Sequence, residues 1–364
     1  MKGSVLVAMS GGVDSSVAAA VLRDEGYEVV GVTMKMHDEP EARAARGPKA
    51  GCCTVEDADD ARAVAARLGI PYYVLDLSAP FGEHVIDNFV SEYASGRTPN
   101  PCVECNRHIK FTELVARADV LGIDFVATGH YARLEGGRLM RGTDRRKDQS
   151  YVLACVPRAM IDRALLPVGG LGKAEVRGRA EELGLRTAGK PESMEVCFLG
   201  SAGKNPFLSR RLDSTSGPIV DESGSVIGRH DGAALYTVGQ RRGIGLAAGE
   251  RRFVHATDVS ANEVRVASTP PCAAGLHCDA ATWLGEAPES SALLQVQVSA
   301  HGDAHPSRVD VVDSAGGSVH VVFDAPVPAP APGQLAAFYD GDTVLGAATV
   351  AEWEPASTPV THRV

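Results

Sequence analysis

The chain has 364 residues, of which 44% are hydrophobic and 23% charged, a composition typical of soluble proteins and a length sufficient for two or three domains. Its net charge of −10 argues against indiscriminate binding of nucleic acid, although a selective RNA partner could still meet local basic patches. No apolar stretch approaches the roughly 20 residues that a membrane helix needs. The first predicted strand follows Gly3 with no room for a signal peptide, so we expect a cytoplasmic protein with no membrane partner.

A glycine loop follows the first predicted strand. The string Ser10–Ser15 reads Ser-Gly-Gly-Val-Asp-Ser and lies between the apolar run Val5–Val7 and a predicted helix over Val17–Glu25. Such a loop directs successive backbone N–H groups and a helix N-terminus toward one point, which makes an anion site. The glycines let the backbone approach a phosphate, and Asp14 can orient water or a cation. No Gly-Lys-Ser/Thr follows, which excludes the kinase-type phosphate loop.

Strands and helices then alternate. The next predicted strands are Glu28–Met34, Pro71–Leu77 and Phe125–Thr128, and the predicted helices are Thr54–Leu68, Glu83–Ser95 and Asn106–Leu121. This order predicts an α/β domain with a doubly wound parallel sheet. Because ligands bind at the carboxyl ends of such strands, the glycine loop, Met34, Gly129 and His130 are expected at one edge.

The second half of the chain is predicted to be mostly β. A hairpin over Arg133–Gly142 and a helix over Lys173–Leu183 complete the first predicted domain, residues 1–204. Glycines then multiply and the strands shorten, which predicts a small mostly-β central domain over 205–274. Short apolar or alternating runs beyond this point predict a C-terminal β-barrel over 275–364. The predicted barrel strands are Ala292–Val298, Val309–Val312, Val319–Phe323, Gln334–Tyr339 and Thr343–Val350.

A pair of cysteines supplies the second informative pattern. Cys102 and Cys105 have CxxC spacing on a predicted loop, Gly96–Cys105, just before a predicted helix. A helix N-terminus stabilises a thiolate, and Arg107 and Lys110 add positive charge. The pattern therefore favours a reactive nucleophile.

A structural zinc site is the alternative interpretation of this pair. It would need a second pair with short spacing, whereas Cys52 and Cys53 are adjacent to each other. Cys197 lies alone between Val196 and Phe198, and by itself this pattern is more often a core position. In a cytosolic chain the cysteines indicate reactive, metal-binding or buried thiols and not a disulfide framework.

Taken together, these strings resemble the tRNA-specific 2-thiouridylases, the bacterial MnmA family of the ATP-pyrophosphatase superfamily. The resemblance extends over nearly the whole chain. The matching strings are Ser10–Ser15, Gly96–Pro101, Cys105–Asn106, Ile109–Phe111, Thr128–Tyr131, Lys147–Tyr151, Cys197–Phe198, Tyr236–Arg241 and Phe338–Tyr339.

The resemblance implies both a fold and a reaction. The fold is an adenine-nucleotide-hydrolase-like domain followed by a small central domain and a β-barrel. The reaction replaces O2 of the wobble uridine in the tRNA anticodon loop by sulfur. ATP adenylates O2 and releases pyrophosphate, with Mg²⁺ assisting, and sulfur then displaces AMP. The sulfur would come from a sulfur-relay or cysteine desulfurase protein.

The resemblance also implies roles for individual residues. Cys105 is the nucleophile, and Cys197 carries the sulfur as a persulfide, so the two can close a transient disulfide. The ATP-binding residues are Ala8, Met9, Ser10, Gly11, Gly12, Val13, Asp14, Ser15, Met34 and Gly129. The tRNA-binding residues are Asn100, Pro101, Cys102, His130, Lys147, Asp148, Gln149 and Gln334.

One position departs from the family pattern. Many members have Asp where this chain has Cys102. Cys102, Cys105 and Cys197 could hold a [4Fe–4S] cluster with one open iron, or they could be a persulfide pair with an extra thiol. The residues leave both alternatives open.

Two other functions compete with thiolation. One is an ATP-pyrophosphatase that acts on a small metabolite, and the other is a catalytically idle RNA-binding protein with the same fold. Neither function requires Cys105 and Cys197, and an idle relative would be expected to carry broken loops.

Overall fold

The computed structural model describes residues 2–37, 55–191, 196–200, 203–246, 251–313 and 317–356. Cys52, Cys53 and the predicted helix start at Thr54 lie outside these ranges. The chain divides into two compact units. Unit 1 consists of Met1–Ile86, Pro101–Gly203 and Asp342–Val344, and unit 2 of Asp87–Asn100, Lys204–Gly341 and Leu345–Val364.

Unit 1 contains the predicted parallel sheet. Its strands are β1 (Ser4–Ala8), β2 (Glu28–Lys35), β3 (Tyr72–Asp76), β4 (Phe125–Ala127) and β7 (Ala164–Leu165), in the order β3-β2-β1-β4-β7. Every neighbouring pair in this sheet is parallel. The central strand β1 is apolar at Val5, Leu6 and Val7 because both of its faces are covered. The strand β7 was missed, since two residues are too short to show a pattern.

Helices rich in small residues pack on this sheet. The α-helices of unit 1 are α1 (Val13–Asp24), α2 (Val55–Leu68), α3 (Ser78–Phe81), α5 (Pro101–Glu104), α6 (Leu114–Leu121), α7 (Ser150–Leu153), α8 (Arg158–Ile161) and α9 (Lys173–Glu182), and α4 (Asn88–Ala94) belongs to unit 2. Ala18, Ala61 and Ala180 are buried in one core cluster, so α1, α2 and α9 approach closely.

Three predicted helix boundaries were wrong, and the first two concern the site. Helix α1 begins at Val13 and not at Val17, because Gly12 supplies an extended N-cap. The helix of the cysteine pair begins at Pro101, a residue suited to the first helical position, so the predicted loop ends before Cys102. Its next segment, Cys105–Glu113, is π-helical, a form that often occurs at functional sites. The predicted helix over Glu83–Ser95 likewise starts earlier, at Ser78, with a π-helical segment over Gly82–Asp87.

The predicted hairpin of unit 1 is confirmed. Strands β5 (Ala132–Glu135) and β6 (Arg138–Arg141) pair antiparallel. The two turn residues, Gly136 and Gly137, have φ of 56° and 73°. Two successive positive φ values are what a tight hairpin turn requires, and glycine adopts them without strain.

Unit 2 contains a small sheet and a closed barrel. The small sheet has the order β10-β11-β8-β9, with β8 (Gly217–Val220), β9 (Val226–His230), β10 (Phe253–Asp258) and β11 (Glu263–Ala267). A helix, α10 (Lys204–Ser209), and a 3₁₀ turn, Ala233–Leu235, accompany it.

The barrel confirms the predicted C-terminal architecture. Its strands are β12 (Cys272–Trp283), β13 (Ala292–Gln297), β14 (Ala304–Asp313), β15 (Ser318–Pro328), β16 (Leu335–Asp340) and β17 (Thr343–Pro355). Their order is β12-β15-β14-β13-β16-β17, and pairing of β12 with β17 closes the ring. Strand β12 was not predicted, because its alanines and glycine hide the apolar alternation.

Two cysteines of β12 belong to the barrel framework. Cys272 and Cys278 are both buried. Burial raises the pKa of the Cys278 thiol to about 12, which keeps it protonated and unreactive.

None of the helices that the structure describes combines the length and apolar character needed to cross a bilayer.

We expect Phe338→Ala to lower the free energy of unfolding of the barrel by about 3–5 kcal/mol, the usual cost of emptying a fully buried aromatic site. The ring of Phe338 is inaccessible to solvent and stacks on Trp283 at 5.2 Å between centroids. Both tryptophans of the chain, Trp283 and Trp353, lie on barrel strands, so urea unfolding followed by fluorescence measures this unit. Leu293→Ala is the control, since Leu293 is 76% exposed on a neighbouring strand, and equal losses in the two variants would contradict the expectation.

Candidate active site

The glycine loop after β1 can adopt its shape because Gly11 and Gly12 carry no side chains. Gly11 has φ of +71°, and a Cβ there would lie 2.3 Å from the carbonyl oxygen of Asp57. Gly12 caps α1 with an extended backbone and without a side-chain hydrogen bond. The first N–H groups of α1 therefore have no side-chain cap, which is the arrangement that accepts an anion.

Hydrogen bonds within the loop hold its shape. The backbone N–H of Ser10 donates to Oγ of Ser15 at 3.1 Å, and the Ser15 hydroxyl lies 3.2 Å from the carbonyl of Gly12. On the other side, Oγ1 of Thr33 donates to the carbonyl of Met9 at 2.6 Å. The loop is thus organised before any ligand binds, so little ordering entropy would be lost on binding.

Asp14 lies on the first turn of α1 and is held by two side chains. The amine of Lys173 donates to both of its carboxylate oxygens, at 2.7 and 2.8 Å, and the hydroxyl of Tyr131 donates to one of them at 2.6 Å. Lys173 is largely buried and begins helix α9. Sequence reasoning missed this residue, although the string Gly170-Leu171-Gly172-Lys173 at a helix start was an available signal.

A second, half-buried lysine, Lys190, pairs with carboxylates of α2. Lys190 donates to Asp57 at 2.7 Å and to Asp60 at 2.6 Å. Burial lowers the pKa of Lys190, but the two carboxylates more than offset it, and the net pKa is raised. The pair of ion contacts holds Lys190 against α2, the helix whose backbone faces Gly11. This contact was also missed, because its partners lie far apart in the sequence.

Two predicted ATP residues lie at the ends of the two strands that flank β1. Met34 is buried at the end of β2. Gly129 follows β4, and a Cβ there would lie 2.6 Å from the backbone nitrogen of Ser15. Only glycine at 129 allows this strand end to touch the first turn of α1. The structure therefore brings Gly129 and the glycine loop together.

Cys105 lies at the same sheet edge as the glycine loop. Its Sγ atom is 3.9 Å from Sδ of Met36, which directly follows β2. Cys105 is buried, whereas Cys102 is exposed and Cys197 is half-buried.

The environment of the cysteine helix is less positively charged than Arg107 and Lys110 predict. Arg107 donates to the carbonyl of Cys155 at 3.1 Å and lies 3.8 Å from the Glu104 carboxylate, so its charge is partly balanced. Asn106 donates to the carbonyl of Cys102 at 2.9 Å. Its own Oδ1 is buried and accepts no hydrogen bond from the residues that the structure describes. The Oδ1 atom of Asn106, the residue after Cys105, is therefore a buried acceptor that no described residue satisfies.

His130 is a buried, neutral histidine. Burial, together with the charge of Lys110, holds its pKa well below the usual value. Its Nδ1 lies 2.7 Å from the hydroxyl of Thr128, and its ring stacks on Phe111. In this structure His130 therefore supports the strand end behind the loop, whatever contact it makes with RNA.

The predicted tRNA segment after the hairpin is held by its own hydrogen bonds. The Asp148 carboxylate accepts bonds from Arg141, from the backbone of Gly142 and from Ser150. Gln149 accepts from the backbone N–H of Tyr131 at 3.0 Å and donates its own N–H back to the Tyr131 carbonyl at 2.9 Å. Lys147 is half-buried beside them. Asp148 and Gln149 thus order the segment that presents Lys147.

The remaining predicted RNA residues lie partly in unit 2. Pro101 is buried in unit 1, and Asn100 is half-buried in unit 2. Within unit 2, the amide of Gln334 donates to the carbonyl of Thr98 at 2.6 Å, and the N–H of Thr98 donates to the carbonyl of Pro332. Gln334 therefore positions the backbone that leads to Asn100.

Family profiles match almost the entire chain. A tRNA methyl transferase HUP domain matches residues 3–201, a tRNA methyl transferase PRC-barrel domain matches residues 205–268, and an aminomethyltransferase beta-barrel domain matches residues 273–350.

Full-length relatives share one name, tRNA-specific 2-thiouridylase MnmA. The protein of Thermobifida fusca is 45% identical over 351 residues, covering 96% of this chain and 95% of the relative. That of Roseiflexus sp. is 44% identical over 375 residues, covering 95% and 99%. That of Mycolicibacterium paratuberculosis is 46% identical over 357 residues, covering 95% and 98%.

Gly11→Ala is expected to weaken ATP binding at least about tenfold, because the new Cβ must clear the Asp57 carbonyl and a left-handed backbone costs a non-glycine residue about 1–2 kcal/mol. Calorimetric titration with ATP measures the effect. Gly26→Ala is the matched control, since Gly26 ends the same helix with φ of +89° and nothing within 4 Å. Equal ATP affinity in the two variants would show that the loop geometry is not needed.

Lys173→Met is expected to lower ATP affinity at least about tenfold, because it leaves the Asp14 carboxylate without its cation beside the anion loop. Lys2→Met, at an exposed lysine that pairs with Glu25 at the other end of α1, should bind ATP as the unaltered protein does. Unchanged affinity in Lys173→Met would remove this lysine from the nucleotide site.

Proposed function

The chain belongs to the tRNA-specific 2-thiouridylase family, and on that premise we propose that it uses ATP to replace O2 of the wobble uridine of tRNA by sulfur. One observation supports this function most directly. The glycine loop follows the carboxyl end of β1, and the thiol of Cys105 lies beside Met36 at the carboxyl end of the neighbouring parallel strand β2. A phosphate site and a sulfur nucleophile at one sheet edge suit a reaction that activates an oxygen and then replaces it.

Adenylation is the first proposed step. Uridine O2 attacks the α-phosphorus of ATP, the bond to the β-phosphate oxygen breaks, and pyrophosphate leaves. In this proposal, the uncapped N–H groups at the start of α1 stabilise the charge that develops on the phosphates. Lys173 keeps Asp14 neutralised, so this carboxylate does not repel the triphosphate.

Sulfur transfer follows. The terminal sulfur of a Cys197 persulfide attacks C2 of the uracil, the C2–O2 bond breaks, and AMP leaves. The Cys105 thiolate then attacks Sγ of Cys197, which breaks the sulfur–sulfur bond and leaves C2=S on the base. The resulting Cys105–Cys197 disulfide is returned to two thiols by a thiol reductant.

The partners belong to the same proposal. In unit 1, Lys147 is presented by the ordered segment around Asp148. In unit 2, Gln334 positions the backbone next to Asn100. Each unit therefore contains an ordered segment that supports its own predicted RNA contact. A flipped wobble base costs little unstacking energy, because the anticodon loop is single-stranded. A sulfur-relay or desulfurase protein would load Cys197. A cytoplasmic site of action is part of the proposal, since ATP and tRNA occur together there.

The proposed reaction steps use neither Mg²⁺ nor an iron–sulfur cluster. Both oxygens of Asp14 are already engaged by Lys173, so this donor does not offer a ready Mg²⁺ site. Within the described ranges, the sulfurs of Cys102, Cys105 and Cys197 do not come together as a group of metal ligands. The persulfide relay is therefore the version that we propose.

A ligase acting on a small metabolite is less well supported. The relatives match this chain over 95–99% of their own length, including the two β domains that follow the nucleotide domain. The intact loop and the placement of Cys105 likewise disfavour an idle RNA-binding protein.

We expect the purified protein to form 2-thiouridine in unmodified tRNA when supplied with ATP and a persulfide donor, with AMP and pyrophosphate as products. Mass analysis of tRNA nucleosides detects the base, and pyrophosphate release reports adenylation. Absence of 2-thiouridine in an assay in which a known family member succeeds would refute the proposed function.

Cys105→Ser and Cys197→Ser separate the two steps. Each should lose thiolation by at least about 10²-fold while pyrophosphate release continues, because the thiols act only after adenylation. Cys272→Ser is the control, since Cys272 is as buried as Cys105, at 7% exposure. Full thiolation in either variant would remove that cysteine from the mechanism, and stoichiometric iron that disappears in Cys102→Ala would replace the relay by the cluster.

A further inference from the structure

We propose that His277, His320 and Glu354 form a Zn²⁺ site on the outer surface of the barrel. The three residues lie on three strands, β12, β15 and β17, and none belongs to the nucleotide site or to the sulfur relay. They are the one group of three metal-ligating side chains that the structure brings together within its described ranges.

Strand register places the two histidines on the same face. His277 is the direct cross-strand partner of His320 in the antiparallel pair β12–β15. Leu276 and Cys278, the neighbours of His277, point into the barrel core, so His277 points outward. Cross-strand partners have adjacent side chains, and the two imidazoles accordingly stack at 4.7 Å between centroids.

The two histidines converge on one carboxylate oxygen. Nε2 of His277 lies 3.0 Å from Oε1 of Glu354, and Nε2 of His320 lies 3.1 Å from the same atom. The three ligand atoms lie within 4.8 Å of one another. Ligands of a tetrahedral zinc ion lie about 3.3 Å apart, given bonds of about 2.0–2.1 Å, so small rotations of accessible side chains complete the geometry.

Space for the carboxylate is provided by a glycine. A Cβ at position 275 would lie 2.7 Å from Oε2 of Glu354. Gly275 pairs with Glu354 across β12 and β17, and its missing side chain lets the carboxylate lie over β12 toward the histidines. The position of Glu354 is thus built into the barrel.

The donor set and the local charge both favour a divalent cation. Imidazole nitrogen is a ligand of intermediate softness and carboxylate oxygen a hard one, and Zn²⁺ binds both. Three protein ligands leave a fourth position for water. Asp310 pairs with His320, and Glu352 pairs with His277, so two further carboxylates surround the group. Oδ1 of Asp310 accepts bonds from Ser290 and Ser291. Glu354 is the ligating carboxylate because its Oε1 already lies within 3.1 Å of both imidazoles.

A bound ion would join the strands that close the barrel. It would link His320 on β15, His277 on β12 and Glu354 on β17. The pairing of β12 with β17 is the one that completes the ring. Because an ion that binds only the folded state stabilises it, zinc should raise the thermal midpoint of the barrel. The alternative is a purely hydrogen-bonded trio, which would gain nothing from zinc.

Equilibrium dialysis of the untagged, chelator-treated full chain against Zn²⁺ tests the proposal. We expect one zinc ion per chain that is absent from His277→Ala/His320→Ala, and at least about tenfold weaker binding in Glu354→Gln, which keeps an acceptor but loses the charge. Any zinc bound by the cysteines is the same in all variants, so the difference in bound zinc between variants reports only the site on the barrel. The zinc-dependent rise in the thermal midpoint should disappear with the same substitutions.

His301→Ala is the matched control, because His301 is an exposed histidine of the same unit and lies outside the group. It should bind zinc as the unaltered chain does. Circular dichroism without zinc verifies that each variant is folded, which is expected because all three changes are at accessible positions. Equal zinc binding by the unaltered chain and the double histidine variant would overturn the proposal.

Discussion

The nucleotide site depends on two places where the backbone cannot carry a side chain. Gly11 touches the carbonyl of Asp57, and Gly129 touches the nitrogen of Ser15, so helices α1 and α2 and the end of β4 all meet at the loop. Their close approach leaves the first turn of α1 open at the sheet edge. Asp14 and Lys173 meet on that turn, and Cys105 lies beside Met36 at the end of the neighbouring strand β2. The proposed chemistry requires each of them.

Much of the fold could be predicted because local patterns and tertiary structure agree. The apolar strands of unit 1, the Gly136-Gly137 turn and most barrel strands were recognisable from the residues alone. Strands β7 and β12 were not, since one is too short and the other has small residues where alternation is sought. The start of α1 was misplaced, because a glycine N-cap gives no side-chain signal.

The candidate site was predicted less completely, since sequence reasoning names residues but not their partners. Local strings identified the loop and the cysteines. Lys173 and Lys190 were missed, because each acts by pairing with a carboxylate more than a hundred residues away. Three predicted RNA residues also form structural hydrogen bonds, a role that no string reveals. His130 bonds with the hydroxyl of Thr128, and Asp148 and Gln149 accept from backbone N–H groups.

The change from α-helical to π-helical winding at Cys105 has a chemical consequence. Residues three apart on a regular helix share a face and similar access to solvent. Here Cys102 is exposed and Cys105 is buried. An oxidant dissolved in the surrounding water meets the outer thiol first, while the inner thiol is screened. The helix thereby leaves the sulfur of Cys102 accessible to the surrounding water and shields the sulfur of Cys105, the nucleophile of the proposed sulfur transfer.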